Sequence, residues 1–469
     1  MKIVHVCSEL APCAKVGGLA DVVSGLSKQM AERGHDVQII MPHYGCVDTQ
    51  GLERIGEIDH FSTVLSGQEH ACCALRFSVC DGVELLLLDT ISGYWRSLES
   101  IYGSDVERFL FFSRAAADWI QARELPDIIH VHDWPTAILP AICPGNFVLT
   151  MHNFEFQGWC QWSDIEQIGV CRQPSLEKIF ADPHGDCLNL VKAGLLKAQQ
   201  VTTVSTTYAK ELSDPLYGRG LEGVIGQIKG KFSGIVNGID CAYWDPERDG
   251  FLHENYAYSQ PLSKVIEAKR LNKKHLLEQL GISFSEKRPL ASFIARLVPQ
   301  KGPLLVHDLC QSVQDIDFQC VVLGSVATPE LQEAFEQLDI ELRRSDKGAV
   351  VLSYDEGLSH RLFAGSDMFF VPSLFEPCGL TQRIAMRYGT IPIVRRTGGL
   401  ADTVTDGENG FVFHEPSLSA FKESFSRACA VYNTPEAWER FVCCAMREDV
   451  SWNIPGGEYL DLYERLISA

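Results

Sequence analysis

Short apolar runs bounded by glycine, proline and aspartate alternate with segments of helical period along almost the whole chain, and the alternation runs through twice. A strand covered on both faces reads as an unbroken apolar run, and joining such strands in parallel requires crossover helices. The pattern therefore predicts α/β architecture. In the first half the expected strands are 3–7, 37–41, 85–88, 128–131, 147–150 and 200–204; in the second they are 290–294, 320–323, 350–352, 368–371 and 391–394. Between the two series lies Asn237-Gly238-Ile239-Asp240, then an irregular stretch to Pro261 where a boundary and hinge are expected. A chain of 469 residues exceeds one ordinary core. We expect an N-terminal domain over residues 1–240 and a C-terminal domain over 241–450. A helical tail, 451–469, set off by Pro455-Gly456-Gly457, is expected to leave the second domain and pack back on the first.

Lys and Arg number 41 against 61 Asp and Glu, a formal charge of −20 that repels polyanions, so nucleic acid is a poor partner. No apolar stretch approaches the roughly 18 residues needed to span a bilayer, and no membrane association is expected. The opening Met1-Lys2-Ile3-Val4-His5-Val6 reads as a buried strand rather than a signal peptide. The 17 cysteines are odd in number and scattered through apolar runs, which predicts reduced thiols in a cytoplasmic protein.

Three segments carry chemistry. Lys15-Val16-Gly17-Gly18, leading into Leu19-Ala20-Asp21, joins a mobile ammonium to a glycine-bearing helix start, a candidate phosphate site; an ordinary glycine turn is equally consistent. Arg296 and Lys301 flank a loop after the first strand of the second series, where open α/β sheets bind ligands. A guanidinium grips phosphate oxygens bidentately and an ammonium adds a point charge, although solvated surface cations would read the same. Pro372-Ser373-Leu374-Phe375-Glu376-Pro377-Cys378-Gly379-Leu380-Thr381 follows another strand, with a carboxylate for sugar hydroxyls and N–H groups at a helix start. Gly17 to Val23 and Gly398 to Val404 agree at six of seven positions, which suggests two similarly built junctions. A metal at His130, His132 and Asp133 is disfavoured because alternation sends His132 and Asp133 to opposite faces of a strand.

With these segments, and with Ser8-Glu9, His132-Asp133-Trp134, His152-Asn153, Thr203-Val204-Ser205, Asn237-Gly238-Ile239-Asp240 and Arg396-Thr397-Gly398-Gly399, the chain resembles the bacterial glycogen synthase and plant starch synthase family over nearly its whole length. The resemblance implies two Rossmann-like domains facing a central cleft, the GT-B architecture. It implies transfer of glucose from a nucleotide sugar, ADP-glucose favoured over UDP-glucose, to the end of an α-1,4-glucan with retention of configuration. No metal or other cofactor is implied. Carried over position by position, Arg296 and Lys301 look like the diphosphate clamp, and Glu376 like the holder of glucose hydroxyls together with Cys378, Gly379, Leu380 and Thr381. Asp133, His152 and Asn153 look like glucose contacts; Lys15, Gly18, Asp21 and Asn237 look like donor contacts. Val16 departs from the family's usual Thr and Pro135 from a common His. Ile384 stands where many relatives of this fold carry a second Glu for the ribose, which leaves nucleotide preference open. Trp134, Trp159 and Trp162 are candidate acceptor platforms. A glycoside hydrolase, a phosphorylase and a silent glucan-binding protein are the rival readings.

Overall fold

The computed structural model describes residues 1–103, 105–312 and 316–468, and the chain divides into two compact units. One comprises Met1–Gly238 together with the C-terminal segment from Trp452; the other is Ile239–Ser451. Among the described residues no helix is long and apolar enough to cross a membrane.

The first unit is built on a ten-stranded sheet. Its strands are β1 (Lys2–Val6), β2 (Asp36–Pro42), β3 (Glu53–Arg54), β4 (Asp59–Leu65), β5 (Gln68–Cys80), β6 (Val83–Thr90), β7 (Ile128–His132) and β8 (Phe147–Met151). After a separate two-stranded ribbon of β9 (Trp159–Cys160) and β10 (Leu188–Asn189), β11 (Gln200–Thr203) and β12 (Phe232–Gly234) complete it. The order is β12-β11-β8-β7-β1-β2-β6-β5-β3, with β4 paired to β5. From β12 to β6 all pairings are parallel, and the buried, apolar strands there are those the sequence pattern predicts. The antiparallel β3, β4 and β5 escaped that reading: β3 and β4 mix polar with apolar residues, and the short run Ala71–Leu75 of β5 is flanked by polar residues on both sides.

The second unit carries six parallel strands, β13 (Leu290–Ile294), β14 (Gln319–Leu323), β15 (Gly348–Val351), β16 (Met368–Val371), β17 (Ile391–Arg395) and β18 (Phe411–Phe413), in the order β15-β14-β13-β16-β17-β18. In the second sheet the chain works outward from β13 to β15 and returns at β16 on the other side. In the first it passes from β1 to β2, runs to the far edge at β3, comes back in through β5 to β6, and then crosses to β7, so strand order reverses between β1 and β7 and between β13 and β16. Loops diverge at such a point and open a crevice at the carboxyl ends of the strands. The irregular stretch to Pro261 is not a free linker. Asp249 is buried, bonded to His360 Nδ1 at 2.7 Å and to the Tyr388 hydroxyl at 2.6 Å, and Tyr256 donates to the Tyr388 carbonyl at 2.8 Å. These bonds make it part of the second unit's core.

The C-terminal helix, Asn453–Ser468, belongs to the first unit. Pro455 and Gly456 do not break it: they lie in its first turn, where a missing N–H is harmless. There the helix meets helix Gly18–Glu32, and a Cβ on Gly456 would lie 2.5 Å from Gln29 Cγ. Trp452 fills the hollow over Gly25, where an added Cβ would stand 2.0 Å from the indole nitrogen. Deeper, Tyr463 bonds His130 Nδ1 at 2.7 Å, while His130 Nε2 meets Thr150 Oγ1 at 2.6 Å. His5 lies opposite His130 in the β1/β7 register, and His132 follows two residues on, so period-two alternation puts the three imidazoles on one buried face. Burial drives the His5 pKa down to about 3 and those of His130 and His132 well below the ordinary value.

Gly25→Val should therefore displace Trp452 and lower the first unit's melting temperature by about 5 °C, as overpacking costs about 1–3 kcal/mol; calorimetry measures it. The buried imidazoles stay neutral in the fold but take up protons once unfolded, below the ordinary 6.5. Their contribution to stability is complete above that pH and is lost as pH falls below it. Melting of the first unit between pH 7 and 5 should accordingly show proton uptake that His130→Asn reduces.

Candidate active site

Several of the residues named from sequence follow the strands that flank the two reversals: Lys15, Gly18 and Asp21 come after β1, Asp133 after β7, Arg296 and Lys301 after β13, and Glu376 after β16, whereas His152 and Asn153 follow β8 and Asn237 follows β12. In the second unit, Arg296 leaves the carboxyl end of β13, exposed, its carbonyl accepting from Val298 N–H at 2.8 Å and its guanidinium making no ion pair or hydrogen bond among the described residues. Lys301, on the same loop, reaches the loop after β16, its ammonium 2.7 Å from Glu376 Oε2. Ser373 donates to that same oxygen at 2.9 Å, while Oε1 makes no hydrogen bond among the described residues. Glu376 is buried, and its partners offset the cost of holding a carboxylate there. A hollow of about 100 Å³ opens beside them, lined by Lys301, Ser373 and Thr381 over apolar residues of β13 and β16. That volume suits one phosphate-sized group rather than a whole nucleotide sugar.

Backbone packing fixes this loop cluster. Leu374 N–H donates to the Gln300 carbonyl at 2.8 Å, and the Gln300 amide reaches the Phe375 carbonyl at 3.2 Å. Arg395, at the end of β17, donates to the Ser373 carbonyl at 2.9 Å and also to that of Leu374. Gly398 has φ +45°, and a Cβ there would sit 1.9 Å from the Glu376 carbonyl, so only glycine lets this turn hold Glu376 in place. Cys378 is buried, Gly379 turns at φ +71°, and Gln382 donates to the Gly379 carbonyl at 2.6 Å. Leu380 and Thr381 are partly exposed. Ile384 is buried in the apolar core of the unit and offers nothing polar.

In the first unit, Asp133 follows β7 at φ +56°, a left-handed conformation uncommon for a residue with a side chain and often kept where it aims a functional group. Its carboxylate accepts the His152 N–H at 2.6 Å and also that of Asn153, which pins the turn after β8. Burial pushes its pKa up to about 7 against the opposing pull of those two N–H groups. His152 is partly exposed, its pKa driven down to about 3 by desolvation, and its Nε2 lies 3.1 Å from His132 Nδ1. Asn153 caps the same turn, accepting from Glu155 N–H at 3.0 Å.

The glycine junction differs from its expected form. The buried Glu9 carboxylate accepts the N–H groups of Val16 and Gly17 at 2.7 and 2.8 Å, and the Tyr102 hydroxyl at 2.5 Å. Two of the donors expected to cradle a phosphate are thus already bonded to an internal anion, and Lys15 is paired with Asp21 at 2.9 Å. Gly18 is exposed at the helix start beside them. Gly17, at φ −142°, has an ordinary extended backbone unlike Gly398, so the repeated heptapeptide adopts two conformations. Asn237 is buried, with Oδ1 unpaired among the described residues. Of the three tryptophans, Trp159 is exposed, joined by exposed Phe156, whereas Trp134 packs edge-on against Phe109 and Trp162 against Phe180.

Sequence reasoning missed His5, which with His130 and His132 forms a cluster whose ring nitrogens lie within 4.8 Å of one another. A lone histidine in an apolar strand gives little signal; its period-two match with His130 and His132 appears only once the register is known. Their nitrogens are already engaged: both of His130 by Tyr463 and Thr150, and His5 Nδ1 by His132 Nε2 at 3.1 Å.

Residues 2–227 match the family model described as starch synthase catalytic domain, and residues 278–441 match that of glycosyl transferases group 1. The chain is 38% identical to a glycogen synthase of Protochlamydia amoebophila, over 99% of each chain. It is similar to the catalytic domain of starch synthase IV from Arabidopsis thaliana bound to ADP and acarbose, with 36% identity, a TM-score of 0.91, and coverage of 100% of this chain and 99% of that one. Sucrose-phosphate synthase from Thermosynechococcus elongatus shares the fold at a TM-score of 0.65 and 16% identity, covering 100% of both chains. Two sheets of this topology, matched along their full length by such relatives, make the chain a member of the glycogen and starch synthase family, a glucosyltransferase of GT-B architecture.

Proposed function

We propose that the chain extends α-1,4-glucan from ADP-glucose with retention of configuration, in a reducing cytoplasm. Arg296 carries the reading: an unpaired guanidinium on the loop after β13, the same loop whose Lys301 lines a phosphate-sized hollow and is already oriented by a buried carboxylate. Departure of a nucleoside diphosphate from an oxocarbenium-like sugar needs positive charge placed in advance, and Arg296 with Lys301 supplies it. Glu376 keeps Lys301 aimed through Oε2 and offers Oε1 to glucose hydroxyls; Cys378, Gly379, Leu380 and Thr381 add backbone donors around the phosphate. Asp133 sets the turn that presents His152 and Asn153 to the hexose. The departing phosphate takes the acceptor's proton on the same face, so no carboxylate attacks the sugar. Lys15, Gly18, Asp21 and Asn237 complete the donor contacts, with Lys15 exchanging Asp21 for phosphate. Trp159 and Phe156 give exposed rings on which glucan stacks.

ADP is favoured over UDP because the relative matched at 36% identity was solved bound to ADP. Offering ADP-glucose and UDP-glucose separately with glycogen, and following nucleotide release alongside glucan growth, tests the reading. Faster release and growth with ADP-glucose are expected; equal rates would remove the preference, and free glucose without nucleotide would indicate a hydrolase.

Arg296→Ala should lower kcat about 10²- to 10³-fold, about 3 kcal/mol, with an unchanged melting temperature, because the side chain is exposed and unpaired. Lys301→Ala should lose both turnover and stability, since it strands the buried Glu376 charge. Kinetics paired with thermal melts separate the two effects.

A further inference from the structure

Three imidazoles of the first unit stand in series. His5 Nδ1 lies 3.1 Å from His132 Nε2, and His132 Nδ1 lies 3.1 Å from His152 Nε2. From this geometry we infer that His5 and His132 are positioning residues that fix the tautomer of His152, placing its proton on Nδ1 as a hydrogen-bond donor toward the transferred sugar. The inference rests on His152 serving the donor site as proposed above.

A neutral imidazole has one N–H and one lone pair, so the direction of one bond in the series sets the direction of the next. All three rings are held neutral by burial. In one arrangement His5 Nδ1–H donates to His132 Nε2, His132 Nδ1–H donates to His152 Nε2, and His152 is left with an Nδ1–H. In the reverse arrangement every proton moves to the other nitrogen, and the series ends on an Nε2–H of His5. That nitrogen is sealed from solvent and has no partner among the described residues. Leaving a buried N–H unpaired is the costlier choice, and such orphan donors are rare in folded proteins. The series therefore ends on a lone pair at His5.

His130 cannot reverse it. Its two nitrogens are engaged by Tyr463 at 2.7 Å and Thr150 at 2.6 Å, and the Thr150 hydroxyl is in turn 2.6 Å from that of Thr202. At the open end, His152 Nδ1 has no hydrogen-bond partner among the described residues, and it is not among the sealed, unpaired nitrogens. The backbone of His152 is held independently by Asp133. Ring and main chain are thus fixed by separate contacts, and only Nδ1 is left to act outward.

Nitrogen-15 spectra of the imidazoles in the full-length wild-type protein at pH 8 should show His152 protonated on Nδ1; protonation on Nε2 overturns the inference. His132→Leu removes the donor to His152, whereas His132→Asn puts an amide nitrogen near the place of Nδ1 and keeps it. The leucine variant should lose at least about tenfold in kcat with donor KM within about threefold, and the asparagine variant should recover most of that loss. Equal turnover in the two overturns the positioning role, and if either fails to fold the wild-type spectrum alone decides. His152→Ala separates the underlying reading: full turnover in it removes His152 from the site, while an inactive variant together with an Nε2-protonated wild-type ring overturns the series alone.

Discussion

Each unit depends on a sheet whose strand order reverses once, parallel throughout in the second unit and from β12 to β6 in the first. The reversal forces the loops after β1 and β7, and those after β13 and β16, to diverge, and a crevice opens at strand ends that a packed interior would otherwise close. Glu9, Asp133, Arg296, Lys301 and Glu376 all lie on loops after the strands at these two reversals. The apolar strands beneath are buried on both faces and cannot shift without exposing a core, so side chains projecting from their ends inherit that rigidity.

Carboxylates, buried at Glu9 and Glu376 and half-buried at Asp133, then organise the loops. Glu9 ties down the glycine junction through two N–H groups, Asp133 ties down the turn at His152, and Glu376 joins Lys301 and Ser373. An ionised carboxylate away from water is costly until its oxygens are bonded, so each of these groups enforces the geometry that satisfies it. Arg296 is left exposed and unpaired in the second unit, ready for an anion that comes from outside.

Much of this was legible in advance because burial on both faces writes itself as apolar runs. The spans of β13 and β16 coincide with the expected 290–294 and 368–371, and the loops that follow carry Arg296 and Glu376 as the strand-end argument requires. What stayed hidden depends on partners remote in sequence. In the antiparallel β4 and β5 polar residues interrupt or flank the apolar ones and the signal is lost, and Pro455 looked like a break although it sits in a first turn. The irregular stretch before Pro261 looked like a linker although Asp249 anchors it to His360 and Tyr388.

By itself the sequence determined the doubled α/β pattern, the strand ends that carry charge and, through its motifs, the family, since these are properties of local runs and of residues in order. Only the tertiary structure decided which groups remain free to act. It spent the N–H groups of Val16 and Gly17 on Glu9, gave one heptapeptide two backbone conformations, and brought His5 against His132 across 127 positions of sequence. The physical reason is that a hydrogen bond or ion pair is a property of two groups at contact distance, and contact between distant residues is settled by register and packing rather than by any residue alone.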